Sequence, residues 1–291
     1  MSVIISKEIR LESKHKTYKP HVEVFKSTME LVDTCKNRKI TDSDFDDQRT
    51  KSLDEDWCGV KTYDEALELM NSGWAEKVKE LSATVENCKQ TTKDKRVGFT
   101  NDVHGFTPIV PLAIMGVPNA MLNVSMKRVK SKVVSIYYHM GVSCGVSSKQ
   151  IFENGRRIVE LVVKLENCGY RVNLNVLDGY ADENSADIMV VNVKSANQLL
   201  DLKRICFPTI HTAFFRVIGF DWYSKVPNGK YRSGYGTPLY YSIGLDGVKE
   251  LSKKLFGDEA VYIDAKEIMK DNGAERLLET IKGGEKCRNS K

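Results

Sequence analysis

Val133-Val134-Ser135-Ile136-Tyr137-Tyr138, followed by Gly141-Val142-Ser143-Cys144-Gly145-Val146-Ser147-Ser148 and a long amphipathic run closed by Gly169, is the stretch that decides the fold. The first piece is β-branched and aromatic, as strands are. The second is a loop of small residues. In the third, Ile151, Phe152, Gly155, Ile158, Val159, Val162, Leu165 and Cys168 recur at three- and four-residue spacing, with Glu153, Arg157, Glu160, Lys164 and Asn167 opposite. That period predicts a helix over about 148–168. Arg171 to Leu177 then alternates polar and apolar residues, and Ile188 to Val193 is a second apolar run. Strand, helix, strand implies a parallel pair with a right-handed crossover. Only ten residues (178–187) separate Leu177 from Ile188, too few for another parallel crossover, so these two strands are expected to form an antiparallel hairpin. The core is therefore read as a three-layer, Rossmann-like α/β sheet with one antiparallel edge strand.

At 291 residues the chain can bury one sizeable core, or a main domain with a smaller companion. Its 41% hydrophobic and 29% charged content is that of a globular protein rather than a disordered one. No run approaches the roughly 18 apolar residues of a membrane span. Met1 to Lys7 lacks the apolar segment and cleavage site of a signal peptide. A cytoplasmic or virion-associated protein is expected, without membrane contact. The seven cysteines, at 35, 58, 88, 144, 168, 206 and 287, form no CxxC pair and have no His at zinc-ligand spacing. Reduced, mostly buried thiols are expected, and no metal or cofactor. The net charge of +5 permits an anionic partner, so the placement of charge matters more than its total.

Upstream of the deciding stretch, residues 1–56 read as a polar, partly irregular lead-in. Lys14 to Lys19 is basic and Asp42 to Asp47 acidic; Asp47 and Leu53 stand where a calcium loop starting at Asp42 needs Gly and Glu, so a solvated acidic loop is expected. Residues 57–125 read as a small helical region. Thr62 can cap a helix with Asp64 and Glu65 in its first turn and Gly73 at its end. A second helix is expected from Trp74 to Cys88, an exposed link over Gln90 to Arg96, and a short buried helix within Pro108 to Gly116. The α/β domain is assigned to 126–284. Beyond the hairpin it should hold a short helix from Asn197 to Cys206, another from Pro208, a Gly- and Tyr-rich loop from Ser224 to Pro238, a helix from Asp246 to Phe256, a strand at Ala260 to Ile263 and a helix from Glu275 to Ile281. Residues 285–291 are a tail.

The loop between first strand and long helix sits where α/β folds place ligands. Gly141, Ser143, Gly145, Ser147 and Ser148 would let an anion approach the helix N-terminus, although the P-loop Lys and the dinucleotide glycine pattern are both missing. Cys144 with His139 would make a nucleophile and base only if strand geometry brought them together. Asp102 and His104 are close enough in sequence for a catalytic pair, but a turn held by the Asp side chain explains them more simply. Two basic segments stand out. Lys127, Arg128, Lys130 and Lys132 carry no acid among them; Lys225, Lys230 and Arg232 are interleaved with Tyr223, Tyr231 and Tyr235. Such segments can contact phosphates while exposed rings stack on unpaired bases, and Arg156, Arg204 and Arg216 would extend the patch if they face outward.

Two resemblances follow from these residues. The parallel pair, long helix and antiparallel hairpin are similar to the start of a von Willebrand factor A domain. That family holds a metal through Asp-x-Ser-x-Ser after its first strand; here His139-Met140-Gly141-Val142-Ser143 stands in its place, so the likeness extends to architecture and not to the metal. Trp57-Cys58-Gly59-Val60 with Gly73-Trp74, Asp102-Val103-His104-Gly105, Gly116-Val117-Pro118 with Met121, Leu165 to Gly169, Val193-Lys194 and Phe207 to Phe220 resemble an uncharacterised family encoded by bacteriophages and plasmids. The likeness covers most of the chain and implies no activity.

The resulting expectation is a non-enzymatic phage or mobile-element protein that binds nucleic acid through 127–132 and 225–235, with no catalytic residues assigned. The alternative is a structural or assembly protein of a virus particle that contacts itself or other phage proteins. An enzyme acting on phosphate esters around Asp102, His104 and the 141–148 loop comes third, since no base, nucleophile or carboxylate cluster supports it.

Overall fold

The computed structural model describes residues 2–41, 47–89, 98–125, 132–182, 184–226, 237–270 and 273–286. The chain opens with a β-hairpin: β1 (Val3–Ser6), β2 (Ile9–Leu11), a 3-10 turn (Glu12–Lys14) and β3 (Lys16–Phe25). Val3 faces Val24, Ser6 faces His21, Ile9 faces Tyr18 and Leu11 faces Lys16. One register serves all four pairs, so β1 and β2 are two parts of one interrupted strand. Helices α1 (Thr28–Lys36), α2 (Glu55–Cys58), α3 (Tyr63–Ser72) and α4 (Ala75–Lys89) follow. The Thr62 side chain accepts from Glu65 N and Gly73 ends α3 at φ 73°, as the capping pattern predicts.

Next come β4 (Gly98–Asp102), β5 (Thr107–Pro108), α5 (Val110–Ile114) and β6 (Met121–Ser125), then the deciding stretch: β7 (Val133–His139), α6 (Ser148–Asn167), β8 (Arg171–Ala181) and β9 (Ser185–Lys194). The chain continues through α7 (Leu202–Ile210), a π-helical segment (Phe214–Gly219), α8 (Phe220–Tyr223), α9 (Leu239–Phe256), β10 (Ala260–Asp264), α10 (Ala265–Ile268) and α11 (Gly273–Lys286). Pro208 lies inside α7 rather than starting a new helix. Helix α9 starts ahead of Asp246 and bends at Gly244, whose φ of 67° is non-helical.

The main sheet runs β1-β3-β9-β8-β7-β10. β7 pairs in parallel with both β8 and β10, and β8 pairs antiparallel with β9. Period-two alternation sorts the strands' side chains into two cores. Tyr138, Val176, Val191 and Ile263 enter the larger core with α1–α4, α6, α7 and α8. Leu177, Val190 and Tyr262 enter the smaller one beneath α9. This is a three-layer α/β fold with a mixed sheet.

Two expectations change. The hairpin of β8 and β9 forms, but β9 is interior: β3 lies along its outer side in parallel, from Lys19 opposite Ser185 to Phe25 opposite Val191. The antiparallel edge is β1, and residues 3–36 are part of the sheet and its cover rather than a loose lead-in. The second change lies in 57–125. Helices α2–α4 pack into the larger core through Cys58, Val60, Tyr63, Ala66, Met70, Leu81 and Val85. Residues 98–125, by contrast, form a separate antiparallel sheet, β4-β6-β5, and the helix α5 on it buries none of its residues. The acidic run 42–46 and residues 287–291 of the tail lie outside the described residues.

Candidate functional site

The carboxyl end of β7 is a topological switch point: the crossover helix α6 leads to β8 on one side, while β10 lies on the other. Ligands of open α/β sheets gather at such points. Here the register brings three titratable side chains together. His139 Nδ1 is 3.2 Å from Asp264 Oδ2, and its Nε2 is 3.7 Å from Asp178 Oδ1. Asp264 also accepts from the Tyr262 hydroxyl at 3.0 Å and from Lys266 N at 2.8 Å, capping α10. Burial works to raise Asp264, but His139, Lys266 N–H and Tyr262 outweigh it and hold the carboxyl below its ordinary value. Asp178 goes the other way. Complete burial pushes it up to about 6 against the pull of His139, Gly179 N–H and Tyr223.

An acid that orients an imidazole, with a second acid beyond it, has the outline of general acid–base machinery. All three side chains are buried, however, and His139 Nε2 has no hydrogen-bond partner. Gly141 seals the group: a Cβ there would stand 2.4 Å from Asp178 Oδ1 and 3.0 Å from His139 Nε2. The arrangement pins the ends of three strands together. Among the described residues, no three His, Cys, Asp or Glu side chains converge to hold a metal ion.

The predicted anion loop therefore divides. Gly141 is buried against an aspartate, which corrects its assignment as an anion contact. Ser143 closes a turn, its carbonyl accepting from Val146 N at 3.0 Å. Gly145, Ser147 and Ser148 are exposed, and Ser147 is the N-cap of α6, its side chain accepting from Gln150 N. Behind this half of the loop lies Arg216, only 2% exposed. It donates from Nη2 to Val146 O at 3.2 Å and from Nη1 to Trp57 O at 2.5 Å. Arg216 would extend the basic patch only if it faced outward, and it faces inward. Its true signal was a single charge inside the apolar run Phe214 to Ile218.

Other predicted residues do not converge. Lys225 is 4% exposed and its ammonium is paired with Asp221, which also binds Arg49 and the Tyr63 hydroxyl. Its expected phosphate contact is corrected: Lys225 lies four residues after a buried acid that needs a cation. Tyr223 is buried as well. Lys132 is exposed just before β7, whereas Lys127, Arg128, Lys130, Lys230, Tyr231, Arg232 and Tyr235 lie outside the described residues. Asp102 forms a turn by accepting from Val103 N at 2.6 Å. Cys144 is exposed while His139 faces inward, so they form no catalytic pair.

The largest departure from a sealed surface is the 98–125 sheet. Phe99, Val103, Phe106, Val110, Ile114, Met115 and Val117 are all exposed, Ile114 by 81% and Met115 by 74%. The helix expected to be buried thus presents its apolar side to water. The only ionisable side chains in 98–125 are Asp102 and His104.

Residues 9–286 match the model of a family described as a domain of unknown function, DUF7192. The chain belongs to this family. The DUF7192 match spans β2 and β3, the switch point and the exposed arm 98–125 alike. No curated protein and no solved structure matches the chain. Among the described residues no helix is long and apolar enough to cross a membrane.

Proposed function

We propose that this DUF7192 protein acts by binding, as an assembly protein that joins a second copy of itself through the arm 98–125. The exposed apolar face of that arm carries the reading. Apolar surface left in water forgoes about 25 cal/mol per Å², and contiguous apolar patches on a surface mark places where something docks. An identical partner fits best: a two-fold contact sets one patch against itself, and a face bearing only Asp102 and His104 has little charge to repel its copy. Strand β4 also lies at the edge of its sheet, where backbone groups can extend the ladder into a neighbour. The origin in a bacteriophage or mobile element rests on the motif resemblance around Trp57, Asp102 and Phe207 to Phe220. The von Willebrand A-like reading of the core is supported by parallel β8-β7-β10 with antiparallel β9 beside them.

Sedimentation across a wide protein concentration range tests the proposal, with Ile114→Glu/Met115→Glu alongside. The wild type should form a dimer or larger species that survives high salt, and the variant should be a monomer with unchanged circular dichroism. A wild type that stays monomeric at every concentration overturns self-association.

A second reading, nucleic-acid binding, is favoured by one observation. The exposed rings of Phe99 and Phe106 lie 6.2 Å apart on a sheet whose last strand leads into Lys127, Arg128, Lys130 and Lys132. Stacking on the rings with phosphate contact beside them would bind single strands, with affinity falling steeply as salt rises. Titration of labelled single-stranded DNA, duplex DNA and RNA separates the two readings, because salt weakens this binding and spares an apolar dimer.

A further inference from the structure

We propose that the N-terminus of α6, with Arg216 behind it, is a binding site for a phosphate group. Three observations converge there, on elements remote in sequence from the arm, so this inference stands apart from the assembly reading. The first is Arg216. A guanidinium this deeply buried normally meets a carboxylate. Among the described residues it meets none: its charge is met by two carbonyls, Trp57 O and Val146 O, and by the faces of Trp57 and Phe215, 4.7 and 5.1 Å from the guanidinium carbon. Its Nε has no hydrogen-bond partner. The second is where the side chain reaches. Val146 directly precedes the N-cap Ser147, so a cation with no carboxylate partner among the described residues lies beneath the mouth of a 20-residue helix.

The third is the charge and shape of that mouth. The first turn of α6 holds no acid; it holds Ser148 and Lys149, both exposed. The helix dipole and the unused N–H groups of a first turn favour an anion, and Arg216 and Lys149 add charge of the same sign. The loop leaves room: a Cβ built on Gly145 would meet nothing within 4 Å. A phosphate seated over Gly145 and Ser147 would have the helix N-terminus in front, the Lys149 ammonium at the rim and the Arg216 charge below. Recognition of this kind is for the phosphoryl group itself, which either a free phosphate or a nucleic-acid phosphate can supply.

The test uses the full chain and inorganic phosphate, followed by thermal unfolding and by two-dimensional amide NMR at constant ionic strength, with chloride as reference. Saturable stabilisation is expected, with amide shifts centred on 145–149. Gly145→Asp places a carboxylate in open space without touching the core and should weaken phosphate binding roughly tenfold or more, while its thermal midpoint in chloride stays that of the wild type. Arg216→Gln should also lose phosphate dependence, but that variant can fail for reasons of folding, and Gly145→Asp decides. A short oligonucleotide that displaces phosphate identifies a nucleic-acid source; one that does not leaves the free anion as ligand. A phosphate effect that does not saturate, or that persists undiminished in Gly145→Asp, overturns the site.

Discussion

Asp178 has a proton equilibrium that a single substitution can expose. Its folded-state value of about 6 lies above the ordinary 3.8 of an aspartate. Between those two values the native chain keeps the proton while the unfolded chain has released it, so raising the pH across this window lowers stability. Below about pH 4 both states are protonated and the term vanishes; above about pH 6 the whole cost is present, on the order of 3 kcal/mol. Asp178→Asn keeps an acceptor for Gly179 N and removes the ionisation. Its thermal midpoint should therefore gain on the wild type as pH rises from 4 to 7, then level off. A difference that does not change with pH would show that Asp178 is not held protonated by burial. His139, Asp178 and Asp264 are each plain in the sequence, yet nothing there brings them together. Only the register, with His139 opposite both Leu177 and Asp264, does so. Arg216 was hidden for a similar reason, because its partners are main-chain carbonyls that no side-chain motif announces.

Among the elements, α6 and α7 cross at Gly155. A Cβ on that residue would lie 2.2 Å from Thr209 O and 2.4 Å from Ile210 Cγ2. Alanine is the better helix former by about 1 kcal/mol, but the collision is with backbone and cannot be relieved by a rotamer. Gly155→Ala should lower the denaturation midpoint by an equivalent of about 1–3 kcal/mol, the range for overpacked cores. Gly247→Ala is the control, since its Cβ would find ordinary contacts at 3.5 Å and beyond. If Gly155→Ala stabilises, the helices do not approach this closely. Helix α6 was legible because its period is long and regular, and β7, β8 and β9 because their apolar runs are short and bounded. Strand β3 was not. Lys19, Pro20, His21 and Glu23 interrupt it, and the buried Glu23 is satisfied by Arg38 and by Trp222 Nε1, the latter 2.6 Å away and 199 residues distant in sequence. A polar segment reads as a strand only when the partners of its charges are known.

For the molecule as a whole, the N-terminal hairpin and the 98–125 arm should respond oppositely to removal. The hairpin contributes Ile9, Leu11, Tyr18, Val22 and Phe25 to the two cores, all buried. At roughly 1.5–3 kcal/mol for each such side chain, their loss is on the order of 10 kcal/mol, comparable to the entire stability of an ordinary domain. Its removal would also bare the β9 edge, whose unpaired backbone groups invite aggregation. The arm contributes little to those cores, and Gly98 pairs with Ser125 at its base, so its ends are only about 5 Å apart and a short linker can join them. A chain lacking residues 2–25 should be insoluble or unfolded. A chain with 98–125 replaced by a Gly-Ser linker should fold, with a urea midpoint near that of the full protein, and should sediment as a monomer. If the arm-less chain also fails to fold, the arm belongs to the core rather than to an interface. If it folds and still associates, the contact between copies lies elsewhere, and the exposed Val3 and Ile4 on edge strand β1 become the surface to test.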